Sequence, residues 1–128
     1  MERTLKVGTP TVLEVDGPVP PHKVAFEDDG QTGYFYALDV SRPQESQILD
    51  AVSVYDATQI AHRSKPVTVR VRWSRDATKA ALFLNAEPQA VFDFAAKRGY
   101  ARSNFPATSQ WSAAGHAWSD SALAGFEQ

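Results

Sequence analysis

Residues 67–102, VTVRVRWSRDATKAALFLNAEPQAVFDFAAKRGYAR, alternate apolar and polar side chains, and turn-forming residues interrupt the alternation twice. This pattern predicts a three-stranded antiparallel meander. In its first arm Val67, Val69, Val71 and Trp73 share one side while Thr68, Arg70 and Arg72 share the other. The opposite phase would leave four large apolar groups in water, so the valines and the tryptophan are assigned to a core. Lys65 and Pro66 lead into the meander, and turns are expected at 75–78 and 85–88.

The rest of the chain reads mainly as strand. Residues 6–15 suggest one or two strands, with Gly8 and Pro10 marking a bulge or an edge. Residues 22–40 read as a hairpin, because Asp29 and Gly30 suit a tight turn between two apolar runs. Residues 50–55 are assigned to a strand for their β-branched and aromatic content, although the residues just before them permit a short helix. A helix is expected only at the C-terminus, where Ser119 can cap DSALAGFEQ and Leu123 and Phe126 share a face. The expected fold is therefore α+β and mainly β: a single curved antiparallel sheet with a short C-terminal helix, or alternatively a two-sheet β-sandwich.

A chain of 128 residues, 43% apolar and 11% aromatic, has the length of a single domain and the composition of a packed one. It has no cysteine, so disulfides are excluded and any zinc site would have to use histidines and carboxylates. The charged start MERTLKVGTP is unlike a signal peptide, and no stretch has the apolar length of a membrane span. A cytoplasmic protein without membrane contact is expected. A net charge of −2 argues against nucleic acid as a partner. The charges are unevenly placed, with ten acidic and four basic side chains in residues 1–60 against three acidic and nine basic in residues 61–102.

Three groups of residues are candidates for chemistry. Glu27, Asp28 and Asp29, with Asp39 nearby, offer carboxylates to a divalent metal or an acidic surface to a basic partner; the ordinary alternative is a solvated turn. His116, flanked by Trp111 and Trp118, has the surroundings of a general base in an apolar cleft. Its ordinary alternative is a histidine bonded to a backbone carbonyl in a loop that the two indoles anchor. Asp93, set out of phase with Phe92 and Phe94, is either an acid with a raised pKa or a cross-strand ion-pair partner of Arg70 or Arg72. Arg98 and Arg102 are further possible partners for it, and with Lys97 and Tyr100 they form a basic-aromatic patch suited to phosphate or stacked rings. His22 and His62 share no ligand spacing with His116, so neither metal nor cofactor is expected.

The ordered blocks EDDGQTGYFYALD, ILDAVSVYD, VRWSRDATKAALFLNAEPQAVFDFAAKRGYARSNFP and WSAAGHAWSDSAL resemble the bacterial family called Domain of Unknown Function 2251, over about residues 25–123. The family's turn would carry glycine where this chain has Ala77. The resemblance implies no assigned activity. By analogy with other small bacterial families, it suggests a partner or immunity protein of a toxin. The leading expectation is a non-catalytic binding module that occludes a toxin through Glu27, Asp28, Asp29, Asp39, Trp111, His116 and Trp118. The alternatives are a small hydrolase-like enzyme using Asp93, His116 and an arginine, and a protein that binds a small ligand in a pocket beside the C-terminal loop.

Overall fold

A computed structural model describes residues 1–59 and 65–126. The expected His62 and Ile60 positions lie outside the described residues. Among the described residues nine strands form: β1 Glu2–Lys6, β2 Thr11–Asp16, β3 His22–Asp28, β4 Thr32–Asp39, β5 Ile48–Asp56, β6 Pro66–Trp73, β7 Lys79–Leu84, β8 Glu87–Asp93 and β9 Arg98–Ala101. They make two antiparallel sheets, one ordered β1-β6-β7-β8-β9 and the other β2-β3-β4-β5.

The single curved sheet expected from the sequence is thus corrected to two sheets sharing one core. The physical reason lies in the apolar side chains. Phe26, Phe35 and Val52 of the four-stranded sheet and Val69, Leu82 and Phe92 of the five-stranded sheet are all buried in one cluster. Phe35 and Phe92 stack across the interface with centroids 5.0 Å apart. Two half-apolar sheets bury these faces only against each other. Within residues 67–102 the alternation has the expected phase: Val69 and Val71 are buried, while Val67 and Trp73 pack against the core. A two-residue turn at Asn85 and Ala86, both at positive φ, joins β7 to β8 in the geometry that suits a twisted hairpin.

The expected C-terminal helix is also corrected. Among the described residues of this segment only a 3-10 turn forms, Asp120–Leu123, with the Ser119 side chain accepting from the Ser121 amide. Ala124 then turns to extended geometry and Gly125 takes φ +93°, so the chain leaves helical space before a stable nucleus can form. Leu123 and Phe126 still find apolar partners. They pack with Trp118 against Ala81 and Val91 on the outer side of the five-stranded sheet. The segment 118–126 covers that side, whereas the outer side of the four-stranded sheet faces away from both the core and this segment.

Residues 102–117 join the two sheets along one edge. The Ala101 amide of β9 donates to the His116 carbonyl, and the Ser53 amide of β5 donates to the Phe105 carbonyl. Both strands lie at sheet edges, where unpaired backbone groups need partners.

Candidate functional site

Asp50, Ser112 and His116 form a buried polar set that resembles hydrolase components. Ser112 Oγ donates to Asp50 Oδ2 at 2.5 Å, and His116 Nε2 lies 2.8 Å from the same oxygen. His116 Nδ1 is 2.6 Å from the Pro106 carbonyl, which can only accept, so Nδ1 carries a hydrogen. The Gly99 amide donates to Ser112 Oγ, and the Ala51 amide to Asp50 Oδ1. A nucleophilic triad places histidine between serine and carboxylate, with one ring nitrogen free to take the serine proton. Here the carboxylate is the hub and both ring nitrogens are occupied. All three side chains are buried, at 4% exposure or less. The set ties the 102–117 loop to β5, and His116 has the carbonyl bond expected of its structural reading. Being wholly buried, it offers nothing to a partner's surface.

The acidic triplet is divided by strand alternation. Asp28 points inward with Val24 and Phe26, at 1% exposure. Its carboxylate accepts from the Gly8 amide at 2.7 Å, the Gly30 amide at 2.8 Å and the Tyr55 hydroxyl at 2.5 Å. Burial, followed by this bond to Asp28, pushes the Tyr55 hydroxyl pKa well above its ordinary value. Asp29 is exposed in the turn and accepts the Gln31 and Thr32 amides, bonds that hold its carboxyl below the usual range. Glu27 points outward and accepts from the Tyr36 hydroxyl at 2.7 Å. Desolvation and this bond raise the Tyr36 pKa. Three adjacent carboxylates therefore face three environments, and the expected shared surface is corrected: Asp28 belongs to the interior. Among the described residues no group of three or more histidine and carboxylate side chains gathers around a metal position.

The outer side of the four-stranded sheet collects Glu27 with other groups. In register across the strands lie Val12, Glu27, Tyr34 and Ser53, then Glu14, Ala25, Tyr36 and Ala51, then Asp16, Lys23, Leu38 and Ile48. Lys23 bridges Glu14 at 2.6 Å and Asp16 at 3.7 Å. The bond to Glu14 raises the Lys23 pKa. Val12 and Ile48 are 59% and 57% exposed. The face thus combines three carboxylates, one ammonium, two tyrosines and exposed aliphatic groups.

Asp93 pairs with neither Arg70 nor Arg72. It lies on β8 opposite Lys79 and Arg98, two strands away from β6, and accepts the Ala96 amide in the turn. Arg70 instead holds Glu2 at 2.6 Å. Arg98 donates to the Gly115 carbonyl and lies 4.6 Å from the Tyr100 ring centre. Arg102 donates to the Pro88 carbonyl and lies 4.3 Å from the Trp118 ring. These residues bond to the protein's own backbone and rings, holding the C-terminal segment to β9 and leaving less of the patch to bind a ligand.

Trp111 and Asp39 line a groove of about 330 Å³ at one end of the sandwich. The start of β3 contributes His22, the β4–β5 connector Arg42, β5 Leu49 and the β8–β9 turn Phe94 and Lys97. Trp111 sets this groove beside the C-terminal loop, where the sequence suggests a pocket, while the other lining residues come from segments far apart in the chain and carry no joint signal in the sequence. The sequence reading does not single out Asp50, although an available signal was the carboxylate's alternation in phase with buried Val52.

A family model described as an uncharacterized protein conserved in bacteria (DUF2251) matches residues 5–127. An uncharacterized protein of Haemophilus influenzae is 37% identical over 107 residues, covering 83% of this chain and 66% of the relative. The match thus spans just under two thirds of the relative's length. No solved structure matches.

Proposed function

We propose that this chain, which belongs to the DUF2251 family of uncharacterized bacterial proteins, is a non-catalytic binding module that presents the outer side of its four-stranded sheet to a basic protein partner. The observation that carries this reading is the side of the sheet where exposed Glu14, Asp16 and Val12 lie beside half-buried Glu27, Tyr34 and Tyr36. Tyrosines supply large contact area at small entropy cost, and carboxylates steer a partner of opposite charge. The occupied, buried Asp50–Ser112–His116 set supports a binding role over a hydrolytic one. The narrower form of the proposal is a cytoplasmic immunity protein whose basic partner is a toxin domain.

The test captures partners with the tagged full chain and with a Glu14→Lys/Glu27→Lys variant, after circular dichroism establishes that both are folded. One dominant basic partner, released by salt and lost from the variant, is the expected result. Finding no partner, or one retained equally by the variant, overturns the reading. Co-expression with that partner then tests the toxin form, with relief of growth inhibition expected.

A further inference from the structure

We infer that the groove at the end of the sandwich is a separate binding site for a small planar anion, an aromatic or heteroaromatic ring carrying a carboxylate or phosphate. Its volume of about 330 Å³ suits a single ring with one substituent, near the lower end of small-molecule sites. Its inner wall is aromatic. Phe94 stacks on His22 with centroids 4.2 Å apart and planes 18° apart, stacks on Trp73 at 5.7 Å, and meets Trp111 edge-on at 5.7 Å. His22 and Trp111 remain partly exposed in the groove, so a planar guest has ring surfaces to lie against.

The rim is cationic. Arg42 and Lys97 are both exposed and line the groove from opposite connectors. Among the described residues Asp39 is the one carboxylate lining it, and its Oδ1 accepts the Ser41 hydroxyl at 2.6 Å and the Ser41 amide at 2.9 Å. Counting Arg42, Lys97 and Asp39, the lining carries +1 with His22 neutral, in a protein whose net charge is −2. A guest anion gains charge-assisted hydrogen bonds from Arg42 and Lys97, which a neutral ring cannot. Lys97 also occupies the left-handed region at φ +53°, a conformation that favours glycine. The β8–β9 turn thus fixes the backbone of Lys97 at the rim of the groove.

The test titrates the full chain with benzoate, phenyl phosphate, inorganic phosphate and benzyl alcohol, following amide resonances of His22 and Lys97 and the Trp111 indole resonance by NMR. At least one ring-bearing anion should saturate these shifts, and the tighter of benzoate and phenyl phosphate identifies the preferred anionic group. Inorganic phosphate and benzyl alcohol each supply half of the chemistry and should bind about ten-fold more weakly or worse. An Arg42→Gln/Lys97→Asn variant, whose asparagine tolerates positive φ, should weaken binding by about ten-fold or more while retaining the other resonances. Absence of shifts with both ring-bearing anions, equal binding by inorganic phosphate, or unchanged binding by the variant overturns the inference.

Discussion

Replacing Asp50 with alanine removes the acceptor for Ser112 Oγ, His116 Nε2 and the Ala51 amide. The Asp50 and His116 side chains are 1% and 0% exposed, so water cannot readily take the carboxylate's place. Each buried donor left without a partner costs about 1–3 kcal/mol. Ser112 Oγ and the His116 ring both lose a buried partner, so we expect Asp50→Ala to lower stability by about 2–6 kcal/mol. For a 128-residue chain, an unfolding entropy of about 2.1 cal/mol/K per residue gives about 0.27 kcal/mol/K, and hence a fall in Tm of about 7–22 °C. Calorimetry on Asp50→Ala, His116→Ala and the double variant measures both the loss and the coupling. The double variant should lose less than the sum of the singles by about 1 kcal/mol or more, because the two groups belong to one network. A loss below about 1 kcal/mol for Asp50→Ala, or strictly additive singles, would refute the claim that this carboxylate organises the C-terminal loop.

Ala77 sits at φ +67°, where an L-residue bears about 1–2 kcal/mol and glycine instead loses about 0.5–1 kcal/mol of backbone entropy. Ala77→Gly should therefore raise stability by up to about 1 kcal/mol in urea titration, and a destabilised variant would contradict this account of the turn. Gly33 lies beneath the Tyr55 ring, and a Cβ there would come within 2.7 Å of it. Gly33→Ala should cost about 1–3 kcal/mol in thermal unfolding as Tyr55 shifts from its bond to Asp28. Asp29, Asp39 and Asp76 have pKa values lowered from 3.8, chiefly by bonds from the Thr32 amide, the Ser41 hydroxyl and the Ser74 hydroxyl respectively. Depressed folded values mean that the unfolded chain binds protons first. Their contribution is therefore present above the unfolded pKa and is lost as pH falls through the lowered folded values. The urea midpoint should fall with acidification below about pH 5, and less steeply in an Asp29→Asn/Asp39→Asn/Asp76→Asn variant.

Local chemistry made much of the secondary structure legible. The phase of residues 67–73, the hairpin turn at Asp29 and Gly30 and the strand through residues 50–55 follow from side-chain alternation and turn preference, which act over a few residues. The glycine expected at position 77 corresponds to a positive φ in the structure. The C-terminal segment was misread because Leu123 and Phe126 have helical spacing, yet they are held by tertiary contact with the outer side of a sheet rather than by a helix. Alternation also carried an unused signal: Asp28 is in phase with Phe26, and Asp50 with Val52, so each carboxylate falls on a buried side.

The sequence by itself determined which segments extend, where many of them turn and which side of each strand avoids water, since these depend on backbone sterics and on the hydration of neighbouring side chains. The tertiary structure decided that the strands divide into two sheets, that Asp50 meets Ser112 and His116 across 62 and 66 residues, and that His22, Arg42, Lys97 and Trp111 line one groove. Alternation specifies that a face must be buried but not which distant face covers it. That choice belongs to the packing of the whole chain, where partners far apart in sequence satisfy each other's apolar surface and polar groups together.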